Sequence, residues 1–540
     1  MNELPSDRNK QKQFSVFEIL FIIALACVPL FSSFPYRVNI FLSWEGAYRI
    51  SQGEIPYRDF GMPIGYMYWT IPALFFKIFG AKMITLVKAQ VFINIISGLA
   101  FRSILKSLDV QPGVRLLSVV LYCVSYSFFN FWPWYNHTVI VYEFVGLAFL
   151  LQYITGKKTH WIWLSLSALF IFFSFFTKQD GGGMALLLCL ALLLYSCFTS
   201  RKWMALAIFS ASFLIAAFAI IAPLTRFNFG YWFNHGQPPH TARLSFFDIL
   251  DEFFAASQWI KFYFFLSVLL MVAFFKRGTG LSRQKNIFFL LTLGILVEAA
   301  VLQVTSYTPP DNNIFFHSFA FAFILSLLAE LIRLDFFRVR VLMVGLLGTL
   351  LWWSGVFWKY FQRVFQKFQP PVETVSRNGE NVVNRKTYMI NRDTAEIPMS
   401  QWKYSGLKSF DKIYLPGPTV DGIYRLLQMD IVKKPGLRVL NMSELTPLAV
   451  EIPYQEEKGP DIPLWYHLGV AMFNKEAKMY EDSIRAKHYD LVLFEYIPTL
   501  NNFYPFRIRD SLQVYYQKAD SFFAPRRGDT KGMIEVFVRK

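Results

Sequence analysis

Two carboxylates that follow the first apolar run of the chain, Glu45 and Asp59, have the residue type and the position for chemistry beside a membrane. Acidic side chains next to a bilayer carry a desolvation cost, so they indicate either a salt bridge or a function. One carboxylate there can act as a general base that removes the proton of a hydroxyl group. Each also has a structural interpretation, because Glu45 can pair with Arg49 at helical i,i+4 spacing and Asp59 can hold Arg58 or cap a turn. The sequence leaves open which of the two is the base.

Three cationic side chains, Lys88, Lys178 and Arg243, are candidates for binding a phosphate group. A cation buried near lipid without a partner costs on the order of several kcal/mol, so an anionic lipid headgroup is a suitable partner for it. Lys178 precedes Gln179, Asp180 and three glycines, whose backbone amides can approach an oxyanion closely. An ion pair between Lys178 and Asp180 beside a tight turn is the alternative interpretation.

Polar and aromatic residues of the predicted outer loops are candidates for binding a sugar. Tyr135 offers a stacking face, and His137 and Asp311 offer hydrogen-bonding groups in short loops. Ordinary loop polarity is an equally good interpretation of the same residues. The histidines near the outer segments do not have the spacing of a metal site, so we predict a site without a metal and keep a divalent cation as the alternative. These histidines are His137, His235, His240 and His317.

The composition is that of a membrane protein. Only 17% of the 540 residues are charged, against roughly 25% in an ordinary soluble domain. Apolar runs of about 20 residues, the length that crosses a bilayer, recur as far as residue 360. We therefore predict a polytopic α-helical membrane protein with about eleven transmembrane helices. They lie at residues 14–34, 84–105, 114–131, 138–155, 161–177, 183–199, 203–223, 260–275, 287–305, 314–333 and 341–360.

The apolar run at residues 65–80 is short, aromatic and interrupted by Pro72, so we assign it to the membrane surface as an interfacial helix. With that assignment the basic loops fall on the side of the N-terminus, which the positive-inside tendency places in the cytoplasm. The formal charge of +17 then reflects topology and not a nucleic-acid partner. We predict a multi-pass protein of a bacterial inner membrane, with a cytoplasmic N-terminus and a periplasmic C-terminus.

The composition changes near residue 360, which predicts two domains. Residues 1–360 hold the predicted spans and an outer catalytic loop at 35–83. Residues 361–540 are more polar and alternate strand-like and helical patterns, which predicts a small extracytoplasmic α/β domain. The strand-like runs lie at 412–415, 437–440, 489–494, 512–516 and 533–538, and the helical patterns lie at 419–429 and 466–487.

The first outer loop resembles that of a known family. A carboxylate after the first span is followed by Tyr48, by the string Gly53-x-x-Pro56-Tyr57-Arg58-Asp59-Phe60 and by an aromatic helix that ends Phe76-Lys77-Ile78-Phe79-Gly80. This arrangement is similar to that of the GT-C superfamily of integral-membrane glycosyltransferases, in particular the protein mannosyltransferase and aminoarabinose transferase types. One position departs from the family, because Glu45 stands where those enzymes usually have Asp.

The resemblance implies that a sugar moves from a polyprenyl-phosphate-linked donor in the lipid bilayer to an acceptor hydroxyl at the outer face of the membrane. The acceptor would be a glycan, a lipid or a protein. A phosphate leaving group needs no general acid, so one base and one phosphate-binding cation are sufficient. Tyr48, Tyr57, Arg58 and Gln179 join the substrate-binding candidates on this basis. A polysaccharide or lipid transporter or polymerase of the envelope is the alternative from another class.

Overall fold

The first part of the chain is a bundle of apolar helices. The computed structural model describes residues 5–35, 40–124, 128, 130–233, 246–276, 282–305, 314–358, 397, 401–464, 466, 473–498, 504–525 and 532–540. The helices of the bundle region are α1 (Pro5–Phe31), α2 (Ile40–Ser51), α3 (Met67–Phe79), α4 (Met83–Ser107), α5 (Pro112–Cys123), α6 (Tyr135–Ile154), α7 (Ile162–Phe175), α8 (Gln179–Ser200), α9 (Met204–Ile221), α10 (Phe246–Asp251), α11 (Gln258–Lys276), α12 (Arg283–Thr305), α13 (Ile314–Leu331) and α14 (Val339–Trp352).

The predicted spans coincide with apolar helices of this bundle. Within the described part of the chain, seven helices are long and apolar enough to cross a membrane. The predicted spans at 114–131, 161–177, 314–333 and 341–360 correspond to the shorter apolar helices α5, α7, α13 and α14. The prediction of a polytopic helical membrane protein is therefore confirmed.

Helix α2 corrects the prediction that the carboxylate-rich stretch Trp44–Phe60 is a loop, because residues 40–51 are helical. The helix packs closely on α3, since a Cβ added at Gly46 would lie 2.4 Å from the Trp69 indole. The Trp69 Nε1 donates a hydrogen bond of 2.8 Å to the Leu42 carbonyl. Glu45 and Arg49 thereby receive fixed positions on one buried helix.

Helix α3, which has 13 residues, forms at the predicted interfacial segment. It buries Tyr68 and Trp69 against the bundle and leaves Leu74, Ile78 and Phe79 largely exposed. A short helix with one buried face and one exposed apolar face is typical of a helix that lies in a membrane interface.

The C-terminal part is an α/β domain. Its helices are α15 (Gly417–Gln428), α16 (Leu448–Glu451), α17 (Phe473–Arg485) and α18 (Phe506–Tyr515), and its strands are β2 (Trp402–Lys403), β3 (Ile413–Pro416), β4 (Val439–Met442), β5 (Leu491–Tyr496), β6 (Tyr516–Phe523) and β7 (Met533–Arg539). One sheet has the order β4-β5-β7-β6. Strands β4 and β5 are parallel, whereas β7 is antiparallel to β5 and to β6. The predicted α/β class is thus observed.

Two predictions for this domain need correction. Residues 512–516 were expected to form a strand, but they finish helix α18, and β6 begins only at Tyr516. The helix forms because Ile508 and Leu512, four residues apart, bury one helical face. The helix predicted at 466–487 is observed at Phe473–Arg485, and residues 467–472 lie outside the described residues.

The two parts of the chain are joined by a shared sheet and a shared core. Strand β1 (Phe34–Pro35), directly after α1, pairs in parallel with β3 of the α/β domain. The Lys412 Nζ also donates a hydrogen bond of 2.7 Å to the Leu30 carbonyl at the end of α1. One apolar cluster includes Trp44 and Phe60 of the first outer segment together with Leu445 and Leu491 of the α/β domain. The α/β domain is therefore built onto the first outer segment.

Candidate active site

Arg49 is the centre of a buried cluster of charges between α2 and the α/β domain. Its Nε lies 2.7 Å from Oε1 of Glu45, and its Nη1 lies 3.1 Å from Oε2 of Glu54. Its Nη2 lies 3.2 Å from Oε2 of Glu456, and Nη1 also donates to the Glu457 carbonyl at 2.9 Å. The guanidinium thus binds groups of both parts of the chain.

The cluster contains more carboxylates than cations. Lys458 adds one positive charge 3.5 Å from Oε1 of Glu54. Burial raises the pKa of Glu45 although Arg49 opposes the change, and it also raises the pKa of Glu54. Burial, followed by the charge of Glu45, raises the pKa of Glu456 to about 8. At neutral pH the cluster consequently keeps a proton on Glu456, which limits the repulsion among its members.

Glu45 has one anchored oxygen and one free oxygen. The residue is 5% exposed, and its Oε2 has no hydrogen-bond partner in the described part of the chain. It lines a cavity of about 70 Å³ together with Asn441 and Ser443 of the α/β domain. A cavity of that size holds water but not a sugar. A buried carboxylate that lines a cavity, with one oxygen held by Arg49 and the other without a partner in the described part of the chain, can accept a proton.

Asp59, the rival candidate for the base, uses both of its oxygens. Its Oδ1 accepts a hydrogen bond of 2.9 Å from the Arg58 Nε. Its Oδ2 accepts bonds of 2.7 Å from the Arg58 Nη2 and from the Ile55 backbone amide. The hydrogen bonds from Arg58 hold the pKa of Asp59 below its usual value. Asp59 therefore fixes the turn and the side chain of Arg58, as its structural interpretation predicted.

A segment of the α/β domain, residues 454–464, covers this site, and we call it the covering segment. The Gly459 amide donates 2.8 Å to the Asp59 carbonyl, and the Gly61 amide donates 2.7 Å to the Ile462 carbonyl. The Leu464 amide returns a bond of 2.9 Å to the Gly61 carbonyl. Since the cavity beside Glu45 is small, a molecule larger than a few waters could reach the carboxylate only through a movement of the covering segment.

Tyr48 and Tyr57, two of the three predicted substrate-binding tyrosines, make internal contacts. The Tyr48 ring stacks on Trp44 with 4.6 Å between the ring centroids. Burial and the neighbouring carboxylates raise the pKa of Tyr48 to about 12. Tyr57 is fully buried, and its hydroxyl donates 2.9 Å to the Ile64 carbonyl. Both side chains hold the first outer segment in place.

Lys178 lies at the start of α8, beside other residues that the sequence predicted to bind substrate. Its Nζ is 2.8 Å from Oδ2 of Asp180 and 5.8 Å from the centroid of the Tyr135 ring. The Gln179 Nε2 donates 3.0 Å to the Trp232 carbonyl, and His137 lies in the first turn of α6 next to Tyr135. Lys178 and Tyr135 are thus neighbours in the structure, and Gln179 and His137 are close to them along the chain.

The three glycines after Asp180 correct the expectation of a glycine-rich turn, since all three lie within helix α8. A Cβ at Gly182 would lie 2.1 Å from the Phe175 Cα, whereas one at Gly183 would meet nothing within 4 Å. Position 182 therefore requires glycine because the helix packs closely against the end of α7 there.

The remaining predicted residues divide into two groups. Lys88 lies on α4, with its Nζ 4.4 Å from the centroid of the Phe79 ring. Its contact is with the interfacial helix α3, whereas the contacts of Lys178 are with α6 and α8. Arg243 and Asp311 lie outside the described residues, as do His235 and His240. In the described part of the chain, no group of three or more His, Cys, Asp and Glu is arranged to hold a metal ion.

Ser43 joins the two regions and was missed by the sequence analysis. It lies two residues before Glu45 on α2. Its Oγ donates 2.7 Å to the Pro133 carbonyl and forms a short hydrogen bond with the Tyr68 hydroxyl. The Tyr68 ring in turn lies 6.0 Å from that of Tyr135, the neighbour of Lys178. A continuous chain of contacts therefore links α2 to Lys178.

Glu54 and Glu456 were also missed. The one available signal for Glu456 was the pair of adjacent carboxylates Glu456 and Glu457 in the C-terminal part. Nothing local relates that pair to Arg49, because 407 residues separate Glu456 from Arg49.

The helices and the cluster define the chain as a multi-pass integral membrane protein with a buried carboxylate site under an α/β domain. No protein-family model matches the sequence, and no curated protein matches it. Among solved structures it is similar to ArnT from Cupriavidus metallidurans in the apo state, with a TM-score of 0.48, 12% identity and coverage of 97% of this chain and 98% of that chain. It is also similar to the same protein bound to undecaprenyl phosphate, with a TM-score of 0.40, 11% identity and the same coverage.

The resemblance of the first outer loop to the GT-C superfamily stays a prediction from the sequence. The similarity concerns the fold. At this level of identity no residue role passes from ArnT to this chain.

Proposed function

We propose that this protein is a glycosyltransferase that moves a sugar from a polyprenyl-phosphate-linked donor to an acceptor hydroxyl, with Glu45 as the general base. The reaction takes place at the extracytoplasmic face of a bacterial inner membrane. The Oε2 of Glu45 carries this proposal, because it is buried and lacks a hydrogen-bond partner among the described residues, on a side chain that lines a cavity.

The choice of Glu45 over Asp59 follows from their surroundings. A general base needs an oxygen that is free to accept a proton and a pKa near the working pH. Burial raises the pKa of Glu45, whereas Arg58 lowers the pKa of Asp59 and occupies both of its oxygens. Arg49 holds the other oxygen of Glu45, which keeps the carboxylate in a fixed orientation.

The donor phosphate is assigned to the region of Lys178. Lys178 lies at the N-terminal end of α8, where the helix dipole favours an anion. Asp180 neutralises it in this structure at 2.8 Å, and a lipid phosphate would compete with Asp180 for the ammonium group. Tyr135 and Gln179 lie beside this position and would contact the sugar. The departing phosphate needs no proton, so the site requires no general acid.

The test is turnover of radiolabelled polyprenyl-phosphate sugars by the purified protein in detergent. We expect Glu45→Gln to lose about 10²–10⁴-fold in rate while the protein stays folded. Glu54→Gln is the matched control, since it also removes a carboxylate bound to Arg49 but leaves the base in place. Equal losses in the two variants would assign Glu45 a structural role. Absence of binding and turnover with every donor would favour a transporter.

A further inference from the structure

A second pocket, which is basic, shares no lining residue with the cavity of Glu45. It has a volume of about 450 Å³. Its wall comes from the turn at Tyr57 and Arg58, from Arg226 and Asn228 after α9, and from Asp461 and Lys475 of the α/β domain. Three separate segments of the chain therefore converge on one opening.

Cations outnumber anions in this basic pocket. Arg58 is bound by Asp59, and the Lys475 Nζ lies 2.7 Å from Oδ1 of Asp461. In the described part of the chain Arg226 forms no ion pair, and its guanidinium lies 5.0 Å from the centroid of the Phe227 ring. Among the described residues, Asp59 and Asp461 thus balance Arg58 and Lys475, and the charge of Arg226 is left without a counter-charge.

The cationic wall is held in place by the backbone. Tyr57 has a φ of 66°. Residues other than glycine adopt this left-handed backbone conformation only at an energetic cost. The Tyr57 amide donates 2.8 Å to the Phe60 carbonyl, and the Asn228 amide donates 3.2 Å to the Tyr57 carbonyl. Strain retained in this way at a pocket wall is typical of a binding site. Here it fixes Arg58, the next residue, at the opening.

The pocket also carries groups that suit hydroxyls. The Asn228 Nδ2 donates 3.0 Å to the Pro460 carbonyl and lies 3.4 Å from Oδ1 of Asp461. The amide and the carboxylate therefore stand beside the cations. Guanidinium groups match carboxylates and phosphates, and Asn and Asp side chains accept or donate hydrogen bonds to sugar hydroxyls.

We propose that this basic pocket binds the anionic group of the acceptor, and that the acceptor is an acidic saccharide that carries a carboxylate or a phosphate. This inference rests on the proposed function, because it names the class of the acceptor. Arg58, Arg226 and Lys475 bind the anionic group, and Asn228 and Asp461 contact the neighbouring hydroxyls. The proposed donor site at Lys178 is separate from this contact, since Lys178 lines no part of the basic pocket.

The test is equilibrium binding to the full-length protein in nanodiscs of neutral phospholipid. The probes are tetragalacturonate, glucose 6-phosphate and the neutral saccharide maltotetraose. We expect at least one acidic probe to bind more tightly than maltotetraose and to lose affinity with added salt. Arg226→Ala should weaken that binding about fivefold or more. Lys433→Ala, which removes an exposed lysine outside the pocket, should leave it unchanged.

Equal binding of acidic and neutral probes, or unchanged binding in Arg226→Ala, would overturn the proposal. If phosphatidylglycerol in the nanodisc abolishes binding of the acidic probes, the pocket is a lipid headgroup site and the acceptor assignment is wrong. Glu45→Gln should bind the acidic probes as the wild type does. Failure of sugar transfer therefore contradicts the proposed function alone, whereas failure of acidic-probe binding contradicts only the acceptor assignment.

Discussion

Arg49 on α2 donates a hydrogen bond from its Nη2 to Oε2 of Glu456, with 3.2 Å between the two atoms, across 407 residues of sequence. The same guanidinium holds Glu45, the proposed base. The α/β domain therefore contributes directly to the orientation of the base as well as covering it.

Removal of the guanidinium should destabilise the protein strongly. In Arg49→Ala, three carboxylates lose the buried cation that they share. Breaking one buried ion pair lowers the free energy of unfolding by about 3–5 kcal/mol. The measurement is thermal unfolding in detergent. Arg58→Ala is the matched control, because its ion pair is half exposed and such pairs contribute about 0–1 kcal/mol. Similar unfolding temperatures for Arg49→Ala and wild type would contradict the central role of Arg49.

The packing of α7 on α8 can be tested with two neighbouring glycines. Gly182→Ala places a Cβ 2.1 Å from the Phe175 Cα, so we expect it to destabilise the protein by about 1–3 kcal/mol. Gly183→Ala meets nothing within 4 Å and should be neutral or stabilise α8 by up to about 1 kcal/mol. Thermal unfolding of both variants measures the difference. If both variants are equally unstable, the glycines serve something other than helix packing.

The rate of sugar transfer should fall in acid. The base has to be ionised, and burial raises the pKa of Glu45 above its ordinary value of 4.5. Activity is therefore full well above the raised pKa and is lost as the pH falls through it. We expect the half-maximal rate on the acid side at a pH above 4.5. A rate profile against pH, with unfolding followed in parallel, measures this, and a midpoint at or below 4.5 would contradict a buried base.

The contact between Tyr231 and Glu476 should make the junction of the two domains sensitive to pH. Tyr231 donates a hydrogen bond to Oε1 of Glu476 on α17. Burial raises the pKa of Glu476 to about 7 from 4.5. The folded protein thus keeps a proton that the unfolded chain loses above pH 4.5. The contribution of Glu476 to the free energy of unfolding is largest below that pH. It falls by about 3 kcal/mol between pH 4.5 and 7 and changes no further above pH 7.

The comparison of unfolding temperatures at pH 5 and pH 8 tests this dependence. Glu476→Gln should reduce the difference between the two temperatures, because the amide does not ionise and still accepts the hydrogen bond from Tyr231. Asp482→Asn, an exposed position on the same helix, should keep the wild-type difference. A wild-type difference in Glu476→Gln would contradict the assignment.

Sequence patterns predicted the features that depend on residues close together in the chain. Apolar runs of sufficient length predicted the helices of the bundle, and the i,i+4 spacing of Glu45 and Arg49 predicted their ion pair. The prediction of a strand at 512–516 was wrong, because the short apolar pattern fits a helix as well as a strand. The burial of Ile508 and Leu512 on one face favours the helix. The contact of Arg49 with Glu456 could not be predicted, since it arises only when distant segments fold together.

Strand β1 also has a consequence for the order in which the molecule is made. Residues 34 and 35 leave the ribosome early, but their strand partner β3 begins at Ile413. The Arg49 cluster likewise waits for Glu456. Contacts of such long sequence separation form late, so the bundle inserts first, and until then Arg49 has only Glu45 and Glu54 of its own segment as acidic partners. A chain that ends before the α/β domain would lack both the strand partner of β1 and the acidic partner Glu456.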